Sequence, residues 1–252
     1  FTIYLEHDPD GCFVATIEDR PVGMVTTASF GRSGWIGNLI VEPEHRSRGI
    51  GRRLMEHGID HLHRAGAVTV RLEGDPPGIP LYRSLGFVDE FESCRFALPA
   101  SDDRPAATDL KNEVMTAEDF GEVAALDRRI VGPDRRSYLE LKFEAAELAL
   151  VRRRRGEITA SLLASPTNKG FRIAPCIALV PEDARCLIEG AIFAAAGRPV
   201  LIGLPAPNTA VLENLVEMGF ERRASSLRMR LGPNIDSGDP TRVAAIASGA
   251  VG

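Results

Sequence analysis

The sequence predicts an α/β protein of the α+β type, built from two similar halves in tandem. Three observations carry that prediction. Strand-like runs and amphipathic helical runs follow one another in the same order twice. Each half passes through a Pro-Glu pair into a helix, at Pro43-Glu44 and at Pro181-Glu182. Each also closes a short helix at a Gly-Phe pair, Gly86-Phe87 and Gly219-Phe220. Between the halves, residues 99–112 have the composition of an exposed linker, so domains of 1–98 and 113–252 are expected.

The opening residues, Phe1-Thr2-Ile3-Tyr4-Leu5, read as the apolar face of a helix already under way. Residues 12–17 and 22–29 alternate as a strand pair, with Glu18-Asp19-Arg20-Pro21 as the turn. Residues 35–41 form a third strand. The helix from Arg52 to Ala65 places Leu54, Met55, Gly58, Ile59, Leu62 and Ala65 at helical spacing. A strand over 68–72 follows, then a short helix ending at Gly86.

The second half repeats this order. Its strand pair is 149–151 with 158–165, and the turn is expected over Arg152 to Glu157, with Arg152-Arg153-Arg154-Arg155 as a solvated basic run. A strand over 171–180 comes next. The helix after it carries Ala184, Leu187, Ile188, Ala191, Ile192 and Ala195 at helical spacing, and a strand over 200–204 follows.

Bulk properties narrow the function classes. With 252 residues the chain can bury one large or two small cores. A net charge of −5 disfavours nucleic acid as a main partner. No run of 18 apolar residues is present to span a membrane, and no basic-then-apolar signal segment opens the chain. Cys12, Cys94, Cys176 and Cys186 form no Cys-x-x-Cys pair and read as reduced core thiols of a cytoplasmic protein. His57 and His61 stand i,i+4 on a helix, but no Cys or carboxylate nearby completes a zinc set, so no metal is expected.

The chemistry concentrates at Arg46-Ser47-Arg48-Gly49-Ile50-Gly51. A strand precedes this stretch and a helix follows it. That order places free backbone N–H groups, and the positive end of the helix dipole, where a pyrophosphate can sit. Gly49 and Gly51 remove side chains from the approach.

Arg46, Gly49 and Gly51 fill the Arg/Gln-x-x-Gly-x-Gly/Ala pattern, so the segment resembles the acyl-CoA-binding motif of the Gcn5-related N-acetyltransferases. Pro80-Leu81-Tyr82-Arg83-Ser84-Leu85-Gly86-Phe87 is similar to the later motif of that family. The resemblance implies that each domain is a mixed, mostly antiparallel twisted sheet flanked by helices. It also implies that the opening strand of the first domain is missing from this sequence. Acetyl-CoA is the implied acyl donor, held by Leu39, Ile40 and Val41 and by Arg46, Ser47, Arg48, Gly49, Ile50, Gly51 and Arg52. Tyr82 is implied as the acid facing the thioester sulfur. The base is open: Glu73 ends one strand, Glu42 lies just past another, and Asp75 is a third choice.

In the second half the segment from the Pro-Glu pair to the helix-closing glycine is seven residues shorter, Pro181 to Gly197 against Pro43 to Gly66. It has no glycine loop and sets Glu182 and Asp183 where phosphate would lie. This half, which carries Ala125-Leu126-Asp127-Arg128 and ends with Arg228 to Gly232, resembles the degenerate C-terminal domain of tandem bacterial acetyltransferases. The expected activity is acetyl transfer to a primary amine of a small molecule in one ternary complex. The alternatives are a non-catalytic acyl-CoA-binding or regulatory protein, and an acetyltransferase of a protein N-terminus or lysine. A homodimer is compatible with the sequence.

Overall fold

A computed structural model of the chain describes residues 2–101 and 112–252. Most of the expected linker thus lies outside the described residues. The chain divides into two compact units. One comprises the chain up to Glu90 with Leu227–Asp236 and Gly249–Gly252; the other comprises the described residues of Phe91–Ser226 with Ser237–Ser248. These are not the contiguous domains 1–98 and 113–252. Residues 91–98, the end of the first half, belong to the second unit. Residues 227–236, from the second half, belong to the first.

The first unit contains α1 (Thr2–His7), β1 (Cys12–Ile17), β2 (Arg20–Phe30), β3 (Ser33–Val41), α2 (Ile50–Arg64), β4 (Thr69–Gly74) and α3 (Ile79–Ser84). β1, β2 and β3 form an antiparallel meander, and β3 pairs with β4 in parallel. The β1–β2 turn is shorter than expected. Ile17 pairs with Arg20, so only Glu18 and Asp19 lie in the loop, with φ of 47° and 60°. Left-handed residues at both centres match the twist of a two-residue hairpin. The far edge of β4 pairs antiparallel with Leu227 to Leu231, the end of β11 (Glu221–Leu231).

The core of this unit follows the periodicity read from the sequence. Leu54, Met55, Ile59 and Leu62 of α2 pack on Val25, Ile36, Val70 and Leu72 of the sheet, and Met229 from β11 joins them. Each fully buried Leu or Ile side chain contributes about 1.5–3 kcal/mol.

The second unit contains residues 91–98 of β5 (Val88–Leu98), β6 (Glu113–Val114), α4 (Phe120–Val131), α5 (Arg136–Glu144), β7 (Leu148–Arg154), β8 (Glu157–Thr167), β9 (Gly170–Ala178), α6 (Pro181–Ala194), β10 (Val200–Pro205), α7 (Thr209–Glu217) and β12 (Val243–Ala245). Its strand order is β5-β10-β9-β8-β7-β6, with β12 against β9. Ala184, Leu187, Ile188 and Ala191 of α6 are fully buried against this sheet. Asp127 of the Ala125–Arg128 motif is buried and bound by Arg135 through two hydrogen bonds of 2.7 and 3.1 Å. A bidentate pair satisfies both charges where water is excluded.

Two expectations are corrected here. The basic run is not a solvated turn. Arg152, Arg153 and Arg154 lie in β7, the turn is Arg155-Gly156, and all three strand arginines make ion pairs with acids. Of the cysteines, Cys94 and Cys176 are core thiols, whereas Cys12 and Cys186 are partly exposed.

The segment 227–231 gives the first unit its last paired strand. A chain ending at Ser226 would therefore leave the outer edge of β4 unpaired and uncover Met229's neighbours Val70 and Leu72. Urea unfolding followed through Trp35, the single tryptophan, is expected to lose its sharp transition in that truncation. A sharp transition at the wild-type midpoint would show that the first half folds without this strand.

Candidate functional site

The loop after β3 builds its geometry from two left-handed residues, Ser47 at φ 61° and Gly49 at φ 80°, on either side of Arg48. Gly49 is the N-cap of α2 and offers no side-chain cap, so the first N–H groups of the helix point out of its end. A Cβ built on Gly49 meets nothing within 4 Å, so backbone angle rather than space requires glycine here. A Cβ on Gly51 would lie 3.6 Å from Leu81 and 3.7 Å from Val41, ordinary contact distances.

The arginines of the motif have separate surroundings. Arg46 is exposed and its Nε donates to the Val41 carbonyl at 2.9 Å, bracing the entry to the loop. Arg52 donates from Nη2 to Ser84 Oγ of α3 at 2.6 Å. Arg48 lines a groove of about 620 Å³ with Arg53, His57 and the residues of β1. Leu39 and Val41 pack toward the core of the unit, and Ile40 is exposed.

β3 and β4 part company in the middle of the sheet. Their pairing runs Ser33 with Thr69, Gly34 with Val70 and Trp35 with Arg71, and stops there. Beyond it, residues 36–41 have no partner on β4, which leaves a split between the strands. On its other side β3 carries a bulge. Gly37 faces Thr26 and Ile40 faces Met24, three steps against two. Asn38 sits at φ 51° in the bulge, and its Nδ2 donates to Thr26 Oγ1 at 2.9 Å. A bulge takes one residue out of the ladder and turns its backbone groups aside.

Tyr82 and Glu73 stand on opposite faces at this split. The ring of Tyr82 lies against the backbones of Gly74 and Gly78, where added Cβ atoms would come within 3.1 and 2.7 Å of it. The side chain is buried, and burial, helped by the charge of Asp75, pushes the phenol above its ordinary range. Strand alternation sends Glu73, the residue before Gly74, to the other face. There its carboxylate is 1 % exposed and takes a 2.8 Å hydrogen bond from Arg228 Nε. The guanidinium of Arg228 lies 4.7 Å from the Trp35 ring centre. Glu42, the other candidate base, is 56 % exposed and sits 3.6 Å from His45 Nδ1, past the end of β3. Asp75 is exposed as well.

Asn38, Trp35 and Arg228 were not among the residues expected from sequence. Asn38 carried a local signal, since asparagine inside an apolar strand run tolerates left-handed backbone. Arg228 belongs to the Arg228–Gly232 stretch noted in the second half, but nothing local ties it to Glu73, 155 residues away.

The second unit has the same split, closed. β9 and β10 pair only at Phe171 with Val200 and Arg172 with Leu201. Val243–Ala245 then enters and pairs with Cys176 and Ile177, and the Ile246 N–H donates to the Gly203 carbonyl at 2.8 Å. The helices α2 and α6 have 15 and 14 residues, so the shorter segment of the second half reflects the missing glycine loop. Asp183 is not an exposed repelling charge. It is buried and receives hydrogen bonds from Arg152, Arg154 and Thr159. Burial alone would raise its carboxyl; the bonds from Arg154 and Thr159 outweigh that and hold it below the usual range.

Comparison with known proteins places both halves. The Acetyltransferase (GNAT) family model matches residues 1–87, and an Acetyltransferase (GNAT) domain model matches residues 123–241. The uncharacterized N-acetyltransferase YitH of Bacillus subtilis is 27% identical over 194 residues, covering 77% of this chain and 68% of its own length. The ribosomal protein bS18-alanine N-acetyltransferase of Escherichia coli K12 is 40% identical over 73 residues, 28% of this chain and 49% of that enzyme. A crystal structure from Pyrococcus horikoshii, described as that of a "putative acetyltransferase", superposes with a TM-score of 0.85 at 27% identity, over 100% of this chain and 84% of the other.

The loop geometry gives a substitution that separates binding from folding. Gly51→Asp places a carboxylate in the first turn of α2, which favours the helix dipole by about 0.3–1 kcal/mol and repels phosphate. Calorimetry is expected to show acetyl-CoA affinity reduced at least tenfold, with the thermal midpoint unchanged or raised. Unchanged affinity would move the phosphate site away from this loop.

Proposed function

We propose that this chain, a member of the Gcn5-related N-acetyltransferase (GNAT) family with two such domains in tandem, transfers the acetyl group of acetyl-CoA to a primary amine of a small molecule at the β3–β4 split of its first unit. One observation carries the reading. A helix-capping glycine loop, an open strand edge and a bulge stand together there, with an acid and a carboxylate on opposite faces of the same split.

The residues present fit the donor. Residues 36–41 offer unpaired strand edge to an amide-bearing arm, in the manner of strand addition. The helix end and the N–H groups around Gly49 suit a pyrophosphate. Arg46 and Arg52 flank that end. Acetyl-CoA, when bound, supplies the acyl group as an activated thioester.

The protein's own groups then have distinct tasks. The backbone N–H turned aside at the Asn38 bulge donates to the acyl oxygen as it gains charge. Glu73 takes the proton that the amine nitrogen gives up as it bonds to the acyl carbon. Tyr82 donates its phenolic proton to the sulfur as the carbon–sulfur bond breaks. Holding both reactants together makes a covalent acyl-enzyme unnecessary. Glu42, out in solvent beside His45, has no part in this reading. The similarity to bS18-alanine N-acetyltransferases favours a second reading, in which the amine is the α-amino group of a protein N-terminus. Thiol release measured against small amines and against short peptides distinguishes the two. Absence of release with any amine would leave only the binding-protein alternative.

Two predictions test the site. Tyr82→Phe is expected to lower turnover by roughly 10- to 1000-fold with little change in cofactor affinity. Because the phenol is raised, it keeps its proton below its ordinary value near pH 10. Tyr82 should therefore impose no loss of rate between pH 8 and 9, and a fall there that Tyr82→Phe abolishes would show that the phenol is not held above its ordinary range.

The second unit should bind no cofactor, since β12 fills its split and its loop is absent. Titration of the whole chain with acetyl-CoA is expected to give one site. A stoichiometry near two would overturn this reading of the second unit.

A further inference from the structure

We infer that Arg228, a residue of the second half of the sequence, is a positioning residue of the acetyl-transfer site in the first unit. The inference rests on the reading of Glu73 as the acceptor of the amine proton. Its basis is where Arg228 stands. The β4–β11 register sets Arg228 directly opposite Glu73, and its Nε reaches Oε1 at 2.8 Å. Its guanidinium also lies over Trp35, 4.7 Å from the ring centre. Trp35 is the last residue of β3 paired with β4 before the strands part. One side chain therefore ties the β4 lip of the split, at Glu73, to the β3 lip, at Trp35.

That placement has a chemical consequence. The Glu73 side chain is almost wholly out of water, and Arg228 is 11 % exposed. A buried carboxylate needs a compensating charge and a fixed hydrogen bond to keep one orientation. Arg228 supplies both to Oε1, which restricts the orientations open to the carboxylate. Two further arginines of this face have an acid of their own. Arg71 and Arg230 both meet Glu90, and Arg71 also donates to Asn234 and to the Ile235 carbonyl. Asp75 follows Glu73 after Gly74 and acts on Tyr82. The segment Gly249–Gly252 packs against this face, with Gly249 facing the Cβ of Glu73 and Ala250 facing Gly37.

A bare structural strut and a positioning residue predict different kinetics. Arg228→Met keeps the apolar stem over Trp35 and removes the charge. It is expected to lower kcat by about 10- to 100-fold, with acetyl-CoA affinity within twofold of wild type. Arg228→Lys should restore part of that loss. The deciding measurement is the double-mutant cycle with Glu73→Gln. If Arg228 acts through Glu73, Arg228→Met should cost less than about twofold in kcat once Glu73 is gone. Additive losses, or a fall in cofactor affinity parallel to the fall in kcat, would overturn the inference. So would full activity of Arg228→Met. Should Arg228→Met not fold, the cycle is run with Arg228→Lys, and the same non-additivity is required. Failure of the wild-type chain to acetylate any amine would instead remove the reading on which the inference rests, and the inference with it.

Discussion

Two parallel strands that pair for three residues and then diverge set the terms for everything else in the first unit. Backbone N–H and C=O groups need partners, and a sheet interior normally supplies them. Past Trp35 and Arg71 it does not. An edge left open in the middle of a sheet invites another extended chain, and the two units answer that invitation differently. In the second, Val243–Ala245 takes the place along β9, and the Asn208 side chain donates to the Val243 carbonyl at 3.0 Å. In the first, residues 36–41 keep their edge and the loop after them faces outward.

The helix that follows each split is tuned to the same difference. In the first unit α2 starts at a left-handed glycine, so its N-terminal N–H groups remain available to an anion. In the second, α6 starts at Pro181 and brings Asp183 into its first turn. That carboxylate occupies the favourable end of the dipole and is neutralised by Arg152 and Arg154 from the neighbouring strand. The basic run is thus the counterpart of a buried acid. Its stabilisation depends on Asp183 staying ionised. Because the folded carboxyl is depressed, that contribution is present above the unfolded value near pH 4 and fades as pH falls through the lower folded value.

The exchange of terminal strands joins the two halves of the sequence more tightly than a linker would. Residues 227–231 complete the edge of β4, and residues 91–98 pair with β10. Met229 sits in the core of the first unit, and Arg228 beside it reaches Glu73. The second half of the sequence thereby contributes both a core residue and a polar side chain to the first unit.

The sequence by itself determined the order of elements, the amphipathic faces of α2 and α6, the glycine loop, and the contrast between a loop of glycines in one half and a pair of acids in the other. All of these are local: periodicity, turn chemistry and helix caps are written within a few residues of where they act. Only the tertiary structure decided which strand each terminal segment joins, because alternating apolar residues specify a buried face and not a neighbour. Residues 88–98 and 221–231 read alike in this respect. It also set Glu73 apart from Glu42, burying the first beside Arg228 and leaving the second in solvent, since equal carboxylates at strand ends differ only in what packs around them. β12, at three residues, is too short to show any period. The burial of Asp183 reversed the meaning of its charge: a carboxylate counted as repulsion from the sequence becomes an internal partner once two arginines 29 and 31 residues away fold onto it. Charge and pairing across such separations depend on the path of the chain through space, and no local pattern encodes that path.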